Sequence, residues 1–301
     1  MNYYNEIKNK LIDNDVYKRV KDYSKNRNDL NTYYEVGKLL IEAQGGENRA
    51  KYGDNLIKEY SKRLFNDIGR KYNITTLKRI RQFYLVVEKG APLAHQLTWS
   101  HYCELLPLKD INEINYYIQM TIEQCLSKRE LREKIKNKEY QRLDDNTKLK
   151  LINKEKINIG DNIKNPIIIK NKLGIDKENI SEKILQRLII EDVEGFMKEL
   201  GVGFCFIGSE YKIKIGNTYN YIDLLLFNYI YNCFIVIEIK VCELKKEHIG
   251  QIGVYMNYID KHIKSINQDK TIGIIISRRD NHYYIEYSSD NRIYTRDYVI
   301  S

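Results

Sequence analysis

The first 140 residues place apolar side chains at helical spacing, in segments that end at glycines. Leu30–Glu42 has this spacing and stops before Gly45 and Gly46, a typical end signal for a helix. Asp54–Ile68 is a second amphipathic stretch, and Gly69 follows it directly. The pattern predicts amphipathic helices that pack against one another.

Two capping signals extend this helical pattern. Asn73 is followed by a third periodic segment, Leu77–Val87, and asparagine is a favoured N-cap residue. Ser127 stands three residues before Glu130, the spacing of a capping box. We therefore predict a helical domain over residues 1–140. Residues 136–165 are polar, rich in Lys, Asn and Asp, and almost without aromatics, which predicts a linker over residues 141–165.

The remaining residues, 166–301, alternate between helical and strand patterns. Glu182–Leu200 predicts one long amphipathic helix that ends at Gly201. Gly216 and Asn217 indicate the turn of a hairpin within Tyr211–Asn228. The other expected elements are, in order, strands at Phe204–Ile207, Tyr211–Ile215 and Cys233–Lys240, a helix at Glu247–Tyr258, a buried strand at Thr271–Ser277 and an edge strand at His282–Ser288. This order predicts a mixed-sheet α/β/α sandwich.

Composition narrows the class of protein. The chain has 301 residues, 43% of them hydrophobic, which is enough for a real core in each of two domains. No apolar run is long enough to span a bilayer, and the N-terminus has no signal-peptide pattern. The five cysteines are scattered and include no Cys-x-x-Cys, so neither a disulfide framework nor a zinc site is indicated. We expect a cytoplasmic protein without a membrane partner.

Positive charge is concentrated in the helical half. Residues 51–100 hold 10 Lys and Arg against 4 Asp and Glu, which is +6 of the net charge of +9. The two helical stretches around Gly69 resemble a helix-turn-helix unit, in which the second helix contacts DNA. The candidate DNA contacts on that helix are Lys78, Arg79, Arg81 and Gln82. The alternative is a helical bundle with an ordinary basic surface.

Charged residues interrupt two apolar strands of the second half. Asp223 lies in one, and Glu238 and Lys240 close the next, on the same face of their strand. A buried charge is unfavourable unless it is paired or binds a metal. Two carboxylates suit Mg²⁺, for which Mn²⁺ can substitute, and a lysine beside them suits phosphodiester hydrolysis by a metal-activated water. The alternative is a solvated strand end.

The helix after these strands adds polar groups. Gln251 and Tyr255 lie four residues apart on one face of that helix. The helix begins soon after Lys240, so its first turns can overhang the predicted site. Gln251 is therefore a further candidate catalytic residue.

These segments resemble the YhcG family, whose nuclease domain lies within the PD-(D/E)xK, restriction-endonuclease-like superfamily. The matching segments of the second half are Glu199–Phe204, Tyr221–Phe227, Val236–Lys240, Gly250–Gln251 and Gly273–Ser277. Those of the first half are Tyr34–Gly37, Lys51–Gly53, Arg81–Tyr84, Leu97–His101 and Ser127–Leu131, which are similar to the family's N-terminal helical, winged-helix-type domain.

The resemblance implies specific roles. Asp223, Glu238 and Lys240 would be the catalytic triad, with Gln251 assisting. Two positions depart from the pattern of the superfamily: Ile222 stands where proline often precedes the aspartate, and Gln186 falls where a further acidic residue is often found. The nearby Glu182 is the expected third metal ligand, beside Asp223 and Glu238.

The expected function is that of a Mg²⁺-dependent DNA endonuclease, producing 5′-phosphate and 3′-hydroxyl ends by resemblance to the superfamily. Two alternatives remain open at this point: a DNA-binding or assembly protein whose nuclease fold is structural, and a nuclease directed at RNA. The expected partners are DNA, a second copy of the chain because a double-strand break needs two sites, and proteins of a defence system or a mobile element.

Overall fold

The computed structural model describes residues 3–19, 25–46, 50–69, 72–176, 180–278 and 290–301. The chain divides into two compact units, Met1–Tyr140 and Gln141–Ser301. The helical N-terminal domain and the mixed-sheet α/β C-terminal domain predicted from the sequence are both confirmed. No helix within the described ranges has the length and apolar character needed to cross a membrane.

All regular elements of the N-terminal unit among its described residues are helices. Its helices are α1 (Tyr3–Arg19), α2 (Lys25–Gln44), α3 (Ala50–Ile68), α4 (Ile74–Glu88), α5 (Trp99–Leu105), α6 (Ile111–Glu123) and α7 (Lys128–Lys136). The buried Phe83 of α4 packs edge-on against the rings of Trp99 and Tyr102, which joins α4 to α5. No strand occurs among the described residues of this unit, so the pair α3–α4 has no β-wing there.

Both predicted caps of this unit are confirmed. Asn73 accepts a hydrogen bond from the backbone N–H of Thr76 at 2.9 Å and begins α4. Ser127 and Glu130 form the reciprocal capping box of α7. Each cap satisfies backbone donors that the first turn of a helix leaves free, which fixes where the helix begins.

The C-terminal unit is an α/β domain. Its elements are α8 (Asp145–Asn153), α9 (Ile159–Asn162), β1 (Ile167–Ile169), α10 (Glu182–Glu191), α11 (Val193–Leu200), β2 (Phe204–Ile215), β3 (Thr218–Asn228), β4 (Cys233–Ile239), α12 (Lys246–His262), β5 (Asp269–Ser277) and β6 (Ile293–Ile300). The predicted edge strand His282–Ser288 lies outside the described residues.

The six strands form one mixed sheet in the order β1-β6-β5-β4-β3-β2. The strands β4, β5, β6 and β1 run parallel, whereas β2, β3 and β4 pair in antiparallel fashion. Helices α10 and α11 pack on a core with Leu224, Leu226 and Ile237. Helix α12 packs on a second core that includes Leu225 and Val236. Alternate residues of β3 and β4 therefore enter different cores, and both faces of the central strands are buried.

The linker predicted over residues 141–165 is wrong. This segment forms α8 and α9, and it belongs to the C-terminal unit. Ile159 and Ile163 are buried in the core beneath α10 and α11. Two buried isoleucines are enough to fix a mostly polar segment, because each removes apolar surface from water.

Two further boundaries differ from the prediction. The helix expected over Glu182–Leu200 is two helices, because Asp192 leaves helical geometry and its side chain accepts a hydrogen bond from Gly195 N–H. The two short strands expected before Gly216 are one strand, β2, whose register shifts between Phe206 and Gly208. A bulge of this kind interrupts the alternation of side chains without ending the strand.

A buried ion pair fastens the start of this unit to α11. The Arg142 guanidinium donates to the Glu199 carboxylate, and both side chains are about nine-tenths buried. Arg142 also donates to the carbonyl of Pro166 at 2.6 Å, and Glu199 accepts from Ile168 N–H at 3.0 Å. The pair thus connects the segment before α8, strand β1 and helix α11.

We expect Arg142→Ala to lower the free energy of unfolding by about 3–5 kcal/mol, because it leaves the Glu199 charge buried and unpaired. The neighbouring pair Lys198–Glu194 is exposed, so Lys198→Ala should cost less than about 1 kcal/mol. Urea unfolding followed by circular dichroism measures both. Equal losses from the two variants would contradict a structural role for the buried pair.

Candidate active site

The middle of β3 and the end of β4 bring the two predicted carboxylates together. Asp223 of β3 turns toward β4, and its Oδ2 accepts a hydrogen bond from Ile239 N–H at 2.7 Å. Glu238 is the residue of β4 just before Ile239. The backbone contact holds Asp223 against the edge of β4 where Glu238 lies, because β3 and β4 are hydrogen-bonded neighbours up to the pair Leu224–Ile237.

Lys240 completes the group. Its backbone N–H donates to the carbonyl of Ile276 on β5 at 2.8 Å, which fixes the residue directly after β4. Its amine lies 3.3 Å from Glu238 Oε2 and 3.8 Å from Glu182 Oε2 on α10. Glu238 is 2% exposed and Lys240 is 9% exposed. The structure therefore brings together three of the predicted catalytic residues, with Glu182 at their exposed side.

Burial makes the charges of this group interdependent. Burial, and after it the charge of the nearby Asp223, raise the pKa of Glu238 to about 7, while Lys240 opposes the shift. Burial also raises the pKa of Asp223, against the hydrogen bond from Ile239 and the charge of Lys240. Burial alone would lower the pKa of Lys240, but Glu238, Glu182 and Asp223 together raise it above its usual value. Lys240 is therefore an ammonium, and it supplies positive charge rather than a free base.

One oxygen of this group has no hydrogen-bond partner. Glu238 Oε1 is buried, and none of the described residues donates to it. An unsatisfied buried carboxylate oxygen is costly, and a divalent cation at that position would satisfy it and lower the pKa values of both carboxylates. Mg²⁺ needs only one or two protein carboxylates besides water and phosphate. Asp223 and Glu238 therefore fit a magnesium ion.

Glu182 does not complete a set of three carboxylates. Its carboxylate faces the Lys240 amine and is almost half exposed. Across the described ranges, no three His, Cys, Asp or Glu side chains are arranged to hold a metal. The role that the structure supports for Glu182 is that of a second partner of Lys240.

Two neighbouring helices supply polar contacts. Gln186 of α10 donates its side-chain amide to the carbonyl of Asp223 at 3.0 Å. Sequence analysis did not predict this contact, because a bond to a backbone carbonyl leaves no residue pattern. On α12, Gln251 donates to the Tyr255 hydroxyl at 3.0 Å, which confirms that the two lie on one face. Among the described residues, Gln251 forms no hydrogen bond with either carboxylate, so its catalytic role stays a prediction.

A scan of protein families finds two models that together span most of the chain. Residues 161–299 match the YhcG PDDEXK nuclease domain, and residues 10–142 match the DUF1016 N-terminal domain. The C-terminal region of the chain is therefore similar to the nuclease domain of the YhcG family. The two matches reproduce the domain order that the resemblance predicted, and they confirm a nuclease domain of the PD-(D/E)xK type.

A curated relative of this YhcG-like chain is the Escherichia coli (strain K12) protein described as "Putative nuclease YhcG". The two are 27% identical over 282 residues, which covers 81% of this chain and 75% of the relative. Among solved structures, a repair endonuclease from Pyrococcus abyssi has a TM-score of 0.29 at 17% identity, and an EndoMS–dsDNA2 complex has 0.30 at 18%. Each covers 41% of this chain, and the chain spans about half the length of either neighbour.

The predicted DNA contacts on α4 do not form one open surface. Arg81 donates to Gln44 at 3.3 Å, and Gln82 donates to the carbonyl of Leu106. These two side chains hold α4 against other parts of the helical unit. Lys78 is half-buried and Arg79 is exposed. DNA binding by these residues stays a prediction, and Arg79 and Gln82 are the two exposed residues of the four.

The raised pKa of Glu238 makes the free energy of unfolding of this domain depend on pH when no metal is present. The unfolded chain ionises Glu238 near pH 4.5, whereas the folded chain does so near pH 7. Stability must therefore fall as pH rises from 4.5 to 7, because the unfolded state releases the proton first. At 1.36 kcal/mol per pKa unit, the loss is up to about 3 kcal/mol.

We expect Glu238→Gln in chelator to match wild type near pH 4.5 and to be more stable by up to about 3 kcal/mol above pH 7. The measurement is urea unfolding at a series of pH values. Glu243→Gln alters an exposed glutamate three residues after Lys240 and should follow wild type throughout. A constant difference between Glu238→Gln and wild type would show that Glu238 does not titrate in this window.

Proposed function

We propose that the protein is a Mg²⁺-dependent DNA endonuclease whose active site is formed by Asp223, Glu238 and Lys240. The observation that carries the proposal is the buried Glu238 oxygen without a hydrogen-bond donor, held beside Asp223 and an ammonium. Such a group is unfavourable as it stands and becomes favourable with a divalent cation. The nuclease domain of the family supports the same reaction class.

Each residue has a role that follows from its contacts. Asp223 and Glu238 would hold the ion, and when bound it would polarise the scissile phosphate and lower the pKa of an attacking water. Asp223 is held for this task by Ile239 N–H, and Gln186 fixes the backbone of the same residue. Each carboxylate is therefore positioned by the fold before substrate arrives.

Lys240 supplies fixed positive charge at the reacting phosphate. Its amine is within 4 Å of Glu238 and Glu182, which hold it in place and keep it protonated. A buried cation beside a phosphodiester stabilises the negative charge that increases on the oxygens in the transition state. Gln251, on α12, would orient substrate or water.

DNA as the substrate is supported by the basic composition of the helical unit and by the family's nuclease domain. The test is incubation with linear, nicked, branched and single-stranded DNA and with RNA, each in Mg²⁺ and in chelator. We expect cleavage of DNA in Mg²⁺ alone. Cleavage of RNA and not DNA would favour the RNA-directed alternative, and no cleavage of any substrate would favour a non-catalytic binding protein. We also propose that the protein is cytoplasmic, that it forms a homodimer, and that it acts with proteins of a defence system or a mobile element.

The helical unit should contribute phosphate contacts. We expect the double variant Lys78→Ala/Arg79→Ala to flatten the slope of log affinity against log salt by up to about 1.8, at roughly 0.9 per phosphate contact. Arg81 is left intact because its bond to Gln44 is structural. Fluorescence-anisotropy titrations over a salt series measure the slope. Equal slopes for variant and wild type would place the phosphate contacts elsewhere.

A further inference from the structure

The β2–β3 hairpin has one buried face and one exposed face. Ile213 and Ile222 point into the core with α12 and are almost completely buried. The opposite face carries Lys212, Lys214, Tyr219 and Tyr221, all exposed, and is called the Lys–Tyr face below. The two tyrosine rings are each 53% exposed, which is unusual for aromatic side chains on a regular sheet.

The pairing of β2 with β3 places each lysine of the Lys–Tyr face opposite a tyrosine. Lys212 lies opposite Tyr221, and Lys214 lies opposite Tyr219. The Lys212 amine lies 3.9 Å from the centre of the Tyr219 ring, and the Lys214 amine lies 5.9 Å from it. These cation–π contacts orient the ring while leaving it open to solvent. Within the part of the chain that the structure describes, neither lysine forms an ion pair, so their charge is available to an anionic partner.

The Lys–Tyr face lies close to the predicted active site along β3. Tyr219 and Tyr221 precede Asp223 on β3 by four and two residues, with about 7 Å between successive members of this series along the strand. On β2, Glu210 lies between Ser209 and Tyr211, which pair with Leu224 and Ile222 on either side of Asp223. The charge of Glu210 contributes to the raised pKa of Asp223, behind the larger effect of burial. The exposed tyrosines therefore lie on the same strand as the predicted catalytic carboxylate and close to it.

Alternating lysines and open aromatic rings are the chemistry that binds single-stranded nucleic acid. Phosphates contact the lysines, and unpaired bases stack on the rings without regard to sequence. A paired base cannot stack in this way, because its faces are covered by its neighbours in the duplex. We infer that the Lys–Tyr face binds the strand next to the scissile phosphate as unpaired nucleotides. The inference rests on the proposed function and names its substrate class: nucleic acid with a single-stranded segment beside the cut.

The test uses the full chain with Glu238→Gln, so that binding is measured without cleavage. Fluorescence anisotropy in Mg²⁺ compares a duplex carrying a single-stranded tail with a blunt duplex of the same length. We expect Tyr219→Ala/Tyr221→Ala to weaken binding to the tailed duplex by about tenfold per ring, and binding to the blunt duplex far less. Tyr219→Phe/Tyr221→Phe should bind as the parent does, because phenylalanine keeps the stacking surface. Lys212→Ala/Lys214→Ala should flatten the salt slope for the tailed duplex by up to about 1.4.

Tyr229 provides the matched control. It is 62% exposed and follows the other end of β3, away from Asp223. Tyr229→Ala should leave both affinities unchanged. Equal losses on tailed and blunt duplexes, a loss in the phenylalanine variant, or no loss in the alanine variant would each overturn the inference.

A cleavage assay in the wild-type background separates this inference from the proposed function. If no nucleic acid is cleaved but the tyrosine variants lose affinity for the tail, the proposed function fails and the binding face stands. If cleavage depends on Asp223 but the tyrosine variants bind and cut the tailed duplex as wild type does, the inference fails and the proposed function stands.

Discussion

Replacing Lys240 with alanine is expected to lower the DNA cleavage rate by about 10²–10³-fold, the loss typical when one preorganised stabiliser of transition-state charge is removed. DNA affinity should change little, because Lys240 is 9% exposed and reaches only the phosphate at the metal site. The measurement is single-turnover cleavage of a labelled oligonucleotide in saturating Mg²⁺, with affinity measured in parallel.

Two controls accompany the Lys240→Ala variant. Lys261→Ala removes an exposed lysine from the last turn of α12 and should cut at the wild-type rate. Thermal unfolding in Mg²⁺ shows whether Lys240→Ala is folded, since it leaves Glu238 without its ion-pair partner. A folded variant that cleaves at the wild-type rate would remove Lys240 from the mechanism.

The second large effect concerns the divalent ion. Wild type should gain about 2.7 kcal/mol of stability when Mn²⁺ is present at 100 times its dissociation constant, because the ion binds only the folded state. Asp223→Asn and Glu238→Gln should lose most of that gain, since each removes one of the two carboxylates that fit the ion. In chelator at pH 8, Glu238→Gln should be more stable than wild type, because the variant lacks the buried negative charge of Glu238.

Glu182→Gln distinguishes a metal ligand from a partner of Lys240. Its carboxylate lies 3.8 Å from the Lys240 amine, so this variant should keep most of the stabilisation by Mn²⁺. Isothermal titration with Mn²⁺ and thermal unfolding with and without the ion measure both quantities. Wild-type Mn²⁺ affinity in Asp223→Asn would contradict the two-carboxylate site, and complete loss in Glu182→Gln would make Glu182 a third ligand.

The grouping of the candidate catalytic residues could be predicted because charged residues are conspicuous in apolar strands. Asp223, Glu238 and Lys240 stand among isoleucines, leucines and valines that the sheet buries on both faces, so their positions in sequence already indicate a site. Their contacts could not be predicted. The hydrogen bond from Gln186 to the Asp223 carbonyl joins residues 37 apart, and only the packing of α10 on the sheet creates it.

Errors in the fold prediction have local physical causes. The segment 141–165 has the composition of a linker, but Ile159, Ile163 and the Arg142–Glu199 pair fasten it to the domain. Asp192 ends α10 without glycine or proline, because its carboxylate accepts the N–H of Gly195 in place of a helical carbonyl. Two strands were expected in Phe204–Ile215, whereas a bulge between Phe206 and Gly208 lets β2 continue as one strand. Each error arose where a tertiary or side-chain contact outweighed the local pattern.

The roles predicted for the helical unit are the least constrained by sequence. A basic segment of +6 indicates an anionic partner, but it does not show which side chains are free to reach one. Arg81 and Gln82 have the spacing of a recognition helix, and in the fold they bond to Gln44 and Leu106 instead. A pattern of residue types on one helix cannot reveal such contacts with the rest of the unit.

The central claim is tested most directly by the products of one cleavage reaction. Four proteins are purified in parallel: wild type, Asp223→Asn, Glu238→Gln and Lys240→Ala. Each is incubated with the same labelled DNA in Mg²⁺, and the chemical ends of the DNA fragments are analysed. We expect fragments with 5′-phosphate and 3′-hydroxyl ends from wild type in Mg²⁺, and no fragments from wild type in chelator or from either carboxylate variant. Cleavage by all four proteins at one rate, or no cleavage by wild type on any DNA, would contradict it.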